Sequence, residues 1–144
     1  MNAATRLLLL IPVGYVAALL SAAIVMTFAS MGVNAFVGEV APFGFGLTIG
    51  LMFFAGMISF VPAAIVILLA ETMNLRSIFI WLAVGGAIGL VNSEATLVFD
   101  GLTFIDNLRL VCVAAGFVGG AVYWAIAGRN SGLFRTTSTG RGSA

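Results

Sequence analysis

The sequence predicts an all-α membrane protein, an antiparallel bundle of four transmembrane helices with both termini in the cytoplasm. Three observations predict this fold class. Of the 144 residues, 62% are apolar and only 8% are charged, whereas a soluble domain carries roughly a quarter charged residues. The mean hydropathy is +1.20. The apolar residues also cluster into four segments, each close to the roughly 20 residues that cross a bilayer core.

The first two predicted spans are long and uncharged. Residues 7–29 and residues 45–70 each exceed the length that crosses a hydrocarbon core of about 30 Å at about 1.5 Å per residue. Inside the second span, Pro62 removes a backbone donor and frees the carbonyl of the residue four positions earlier. We therefore expect a kink at Pro62, which membrane helices tolerate.

The third span is the least certain of the four in length. Its apolar run, residues 78–91, is too short to cross a bilayer by itself. It reaches full length, residues 76–94, only if Arg76 extends to one interface and Glu94 lies at the other. A re-entrant segment is the alternative.

The fourth span, residues 108–127, is clear, and it completes a membrane domain over residues 1–127. The remaining residues, 128–144, are rich in Ser, Thr, Gly and Arg. This composition predicts a disordered cytoplasmic tail.

The arginines predict the orientation. With four spans, the amino end, the turn at residues 71–77 and the tail share one side of the membrane, and that turn makes the second and third spans antiparallel neighbours. This side holds five arginines and the other side holds Arg109 alone, so the positive-inside rule places both termini in the cytoplasm. The five are Arg6, Arg76, Arg129, Arg135 and Arg141. Three aromatic residues at cytoplasmic span ends agree with an interfacial belt. They are Trp81, Tyr123 and Trp124.

The outer loop TLVFDGLTFI, residues 96–105, contains a turn signal. Asp100 and Gly101 stand between two β-prone runs, a pattern typical of a hairpin. An isolated hairpin is marginally stable, so we favour an interfacial turn without strand pairing, and the hairpin is the alternative.

Two carboxylates are candidates for function. Glu71 follows the second span, five residues before Arg76, and we interpret it as a boundary residue that pairs with Arg76 or with a partner chain. Glu94 near the outer face is expected to pair with Arg109. Intramembrane carboxylates can also line a transport path, so a role of Glu71 or Glu94 in transport is the alternative.

Three pairs of glycines four residues apart are the clearest packing signal. Such pairs let helix backbones approach closely, which drives helix association in lipid. The bundle itself needs some of these faces, and three pairs in so small a chain leave room for a contact with another membrane protein or a second copy. The pairs are Gly85 with Gly89, Gly116 with Gly120, and Gly46 with Gly50.

The composition argues against catalysis, cofactors and nucleic acid. Cys112 is the only cysteine and there is no histidine, so zinc, haem and copper lose their usual ligands. No GKS/T phosphate loop, HExxH or Ser–His pair is present. No basic stripe exists to neutralise phosphates. We therefore expect a non-enzymatic protein without a metal or cofactor.

Residues 45–133 resemble small uncharacterised inner-membrane proteins of alphaproteobacteria. The segments that carry the resemblance are FVPAAIVILLAE, LRSIFIWLAVGGAIGL and AVYWAIAGRNSG. The resemblance implies a bacterial inner-membrane location and transfers no functional residue.

The leading hypothesis is an accessory or scaffolding subunit of a larger inner-membrane complex, which packs through glycine-rich helix faces. The alternative is a small oligomeric transporter or channel that uses Glu71 or Glu94.

Overall fold

The structure is a computed structural model that describes residues 9–73, 77–98 and 107–128. These residues are almost entirely helical, and their four α-helices are all long and apolar enough to cross a membrane. The helices are α1 (Ile11–Met31), α2 (Ala41–Met73), α3 (Ile78–Val98) and α4 (Leu108–Ile126). The prediction of four apolar helices is confirmed.

Helix α1 begins with a proline in its first turn, where a missing backbone donor does no harm. It ends at Gly32, whose φ of 72° lies in the left-handed region that glycine adopts without strain. Two short 3-10 helices, Gly32–Phe36 and Gly38–Val40, then lead into α2. The loop between the first two spans therefore consists mainly of short helical turns.

Helix α2 has 33 residues and continues through Pro62 without a break. At about 1.5 Å per residue it is roughly 50 Å long, well beyond the about 30 Å of a hydrocarbon core. It extends past the predicted span at both ends. Glu71 belongs to its last turn, but the Glu71 side chain lies outside the described residues.

Helix α3 is a single continuous helix of 21 residues. This length is enough for a span, so a re-entrant segment is not what the structure contains. Because α3 continues to Val98, the first strand of the alternative hairpin is absent at residues 96–98, whose backbone hydrogen bonds belong to the helix. The rest of the predicted hairpin, from residue 99 to its end at residue 105, lies outside the described residues.

Helix α4 begins after Asn107, which has a positive φ of 56°. Asparagine is enriched in this left-handed conformation among non-glycine residues. The backbone N–H of Leu110 donates to the Asn107 carbonyl at 2.8 Å, which closes the first turn of α4.

Helix α4 lies between α1 and α3 and packs closely against both. Helix α2 packs against α1 and touches α3 much less. The predicted contact between the second and third spans is therefore present. Of the neighbouring helix pairs, however, α2 and α3 contact each other least. Helices α2 and α3 follow each other closely in sequence, but they are not in contact along their whole lengths.

The outer surface is strongly apolar, and α2 contributes more of its large exposed side chains than any other helix. Met57 and Phe43 are 82% and 68% exposed. An apolar surface of this extent suits a lipid environment.

Candidate functional site

The closest contact between two of the four α-helices is a glycine seam between α3 and α4. A Cβ atom on Gly85 would overlap the Gly116 carbonyl oxygen, and one on Gly89 would overlap the Cys112 carbonyl oxygen. A Cβ atom on Gly120 would overlap the backbone at Trp81. The backbones touch directly, and the contacts run in opposite chain directions. Two of the three predicted glycine pairs, Gly85 with Gly89 and Gly116 with Gly120, therefore pack against each other.

The third pair, Gly46 and Gly50, faces away from the other helices. Among the described residues, a Cβ atom on either glycine would meet nothing within 4 Å. The same face carries the exposed side chains of Phe53 and Met57, which follow at helical spacing. This pair plays no part in packing the described chain.

Gly44 is a packing glycine that the spacing analysis did not identify. A Cβ atom at this position would overlap the carbonyl oxygen of Ala35, which is fully buried in the first 3-10 helix. Gly44 thus lets the loop lie directly on α2. The sequence feature that could have identified Gly44 is Thr48, which follows four residues later and lies on the same buried face of α2.

Hydroxyl groups connect α1 to α2, and the sequence analysis did not identify them. The side-chain oxygens of Thr27 and Thr48 lie 2.8 Å apart, and both residues are buried. Nearer the start of α1, the Tyr15 hydroxyl donates to the Gly56 carbonyl at 3.1 Å and lies 3.1 Å from Ser59 Oγ. These contacts of the Tyr15 hydroxyl with α2 lie about one helical turn before Pro62.

Trp81 and Tyr123 do not form a lipid-facing belt as the sequence indicated. Their ring centroids lie 4.6 Å apart, and the residues are only 5% and 6% exposed. They pack with Ala70 and Ala127 at one end of the bundle. The tryptophan and the tyrosine are therefore part of the helix contact, because the small neighbours leave space for two large rings.

The predicted charge pair at the other end of the bundle is a surface salt bridge. Arg109 Nε lies 3.1 Å from Glu94 Oε1, and its Nη2 lies 3.4 Å from Oε2. Both side chains are more than half exposed. The other predicted pair cannot be placed in the same way, since Arg76 lies outside the described residues.

The only cysteine in the chain, Cys112, is buried in α4, and its Sγ lies 3.8 Å from Met26 Sδ. It behaves as a small packed side chain. Within the part of the chain that the structure describes, no three His, Cys, Asp or Glu side chains come close enough to hold a metal ion.

Two cavities lie between the helices, with volumes of about 100 Å³ and 90 Å³. Residues from all four helices line each of them, and most of these residues are apolar. The cavities share five lining residues and are therefore adjacent. The shared residues are Leu19, Ala22, Ser59, Ile88 and Gly116. Glu94 lines neither cavity.

No protein-family model, curated protein or solved structure matches this chain.

Proposed function

We propose that this protein is a non-enzymatic accessory or scaffolding subunit of a larger complex in a bacterial inner membrane. The observation that carries the proposal is the outward position of Gly46 and Gly50 on α2. Of three glycine pairs, two pack α3 against α4, and the third has no neighbour among the described residues.

The outward face of α2 suits a transmembrane helix of another membrane protein. Lipid offers no hydrophobic driving force between helices, so small residues that permit close backbone contact mark the faces that associate. Beside the glycines stand Phe53 and Met57, 66% and 82% exposed. Large, adaptable side chains next to a glycine groove can interlock with a partner helix.

The test is the double substitution Gly46→Leu/Gly50→Leu, followed by purification in mild detergent and identification of co-purifying proteins. The monomer should fold, because there is open space at both positions. The complex should weaken roughly 5- to 100-fold, from about 1–3 kcal/mol of lost helix contact.

The matched control places two leucines at the same spacing on α3, as Ala83→Leu/Ala87→Leu. Both alanines are exposed, and this variant should keep its partners. If the glycine variant retains the same partners in the same amounts, the α2 face is not the contact surface and the proposal fails.

The proposal includes an antiparallel crossing of the membrane with both termini in the cytoplasm, supported by five arginines against one. It also includes the relation to alphaproteobacterial inner-membrane proteins, supported by the three resembling segments. A reporter fused after Asp100 should lie outside the cytoplasm and one fused after Ser131 inside it. A cytoplasmic signal from the fusion after Asp100 would contradict this orientation.

A small oligomeric transporter or channel is the second candidate, and the cavities between all four helices are the observation that favours it. Neither proposed carboxylate supports it further: Glu94 lies in a surface salt bridge, and the Glu71 side chain is outside the described residues. Recovery of the protein as a homo-oligomer without other subunits would favour this candidate.

A further inference from the structure

The two adjacent cavities follow the same helices, and together they are termed the apolar groove. Along α3 the lining runs from Trp81 to Asn92, which is about 16 Å at about 1.5 Å per residue. The groove therefore follows the helix axes for about half the thickness of a hydrocarbon core.

The groove exists because small residues face it from several helices. Ala18 and Ala63 line it from α1 and α2, and Gly119 lines it from α4. The groove is not fully enclosed. Of the neighbouring helix pairs around it, α2 and α3 contact each other least. A side with few helix contacts is where hydrocarbon chains of the bilayer would enter.

The lining is mostly apolar, and Asn92 is a polar residue at one end of it. Cavities with apolar walls stay dry and take up apolar molecules. The hydroxyl groups at the wall already have partners within the protein, since the Tyr15 hydroxyl donates to Gly56 O and Ser59 Oγ donates to Ala55 O. The wall therefore offers a polar ligand little to replace its hydration.

An empty groove would also be unfavourable. Atoms that line a void lose dispersion contacts on one side, and protein interiors normally pack to the density of organic crystals. A groove with an apolar wall and a side that faces hydrocarbon gains those contacts from a chain of methylene groups.

We propose that this groove is a lipid site that holds a segment of one acyl chain of a bilayer phospholipid, which enters between α2 and α3. The occupant is the chain and not the headgroup, because the contacts on offer are apolar. This proposal is independent of the partner-binding proposal, which concerns the opposite, outward face of α2.

Trp81 provides a direct readout because it lines the groove and is only 5% exposed. The chain has two tryptophans, so Trp124→Phe leaves Trp81 as the single fluorophore. This protein is reconstituted into phosphatidylcholine vesicles whose lipids carry bromine on one acyl chain, and into unbrominated vesicles. Bromine quenches a tryptophan that it contacts, so an acyl chain in the groove should quench Trp81.

Two further variants fill the groove or leave it open. In the Trp124→Phe background, Ala63→Phe places a ring inside the groove, and we expect it to abolish the quenching. The matched control is Ala64→Phe, one residue further along α2 and not part of the lining. It should keep the quenching.

Equal quenching in the two variants, whether strong or weak, would overturn the proposal, as would unquenched Trp81 in the parent protein. If Ala63→Phe fails to insert, Ala63→Leu replaces it, because it adds less volume at the same position. Loss of a partner complex has no bearing on this measurement, so the two proposals fail separately.

Discussion

The α3–α4 and α1–α2 contacts hold helices together by different means. Between α3 and α4, glycines bring the backbones into direct contact, and Gly85 lies against Gly116. Between α1 and α2, side-chain hydroxyls bridge the gap, and the Thr27 and Thr48 oxygens lie 2.8 Å apart. The first contact depends on the absence of side chains, and the second depends on their polar atoms.

The difference shows which part of the bundle can vary in shape. Backbone contact tolerates no added atom, so α3 and α4 form a fixed pair, to which α1 is joined closely through α4. Helix α2 is joined to α1 by hydroxyl contacts, to the loop at Gly44 and to Trp81 through Ala70, and it touches α3 little. The proposed partner face belongs to α2, and the proposed lipid groove is lined by α2 together with the other three helices.

The largest effect should come from breaking the glycine seam with Gly85→Leu/Gly89→Leu. Each new side chain would overlap a carbonyl oxygen of α4, so the helices must separate. Overpacking costs typically about 1–3 kcal/mol per site, and the double variant should lose roughly 3 kcal/mol or more of unfolding free energy. Unfolding in mixed micelles, followed by far-UV circular dichroism, measures this loss.

The control for the glycine seam is Ala83→Leu/Ala87→Leu, which adds the same groups to an exposed part of the same helix. Both variants keep the span apolar and should insert equally well. If the glycine variant unfolds at the same denaturant concentration as this control, direct backbone contact does not stabilise α3 against α4.

A smaller effect should follow from Thr27→Val and Thr48→Val, which remove the buried hydroxyls between α1 and α2. Hydrogen bonds between membrane helices contribute on average about 0.6 kcal/mol and at most about 1.7. We expect a coupling energy in this range from a double-mutant cycle measured by unfolding in mixed micelles.

Each threonine hydroxyl also contacts a carbonyl of its own helix, at 2.9 Å in both cases. Ser30→Ala measures the contribution of such a local hydrogen bond separately from the contact between helices, since Ser30 Oγ donates to a carbonyl of its own helix at 2.9 Å. A coupling energy near zero in the cycle would show that the two hydroxyls do not stabilise the α1–α2 contact.

Spacing identified the glycines of the candidate site but not their partners. Gly85 with Gly89 and Gly46 with Gly50 have the same spacing, yet the first pair lies against α4 and the second faces outward. Spacing defines a shared face of one helix, and it contains no information about what lies opposite. The hydroxyl contact between Thr27 and Thr48 was not predicted for the same reason, since its two residues belong to different helices.

The sequence by itself determined the four membrane-spanning helices, because span length and apolar composition are properties of each segment alone. It also indicated the ion pair of Glu94 with Arg109, since few charges are present and these two flank one loop. Only the tertiary structure decided that α4 lies between α1 and α3, and that α2 stands at the edge. In a soluble protein an apolar stripe shows which side of a helix faces the core. Here the helices are apolar on nearly all sides, so the choice of neighbours depends on close fit between particular side chains and backbones.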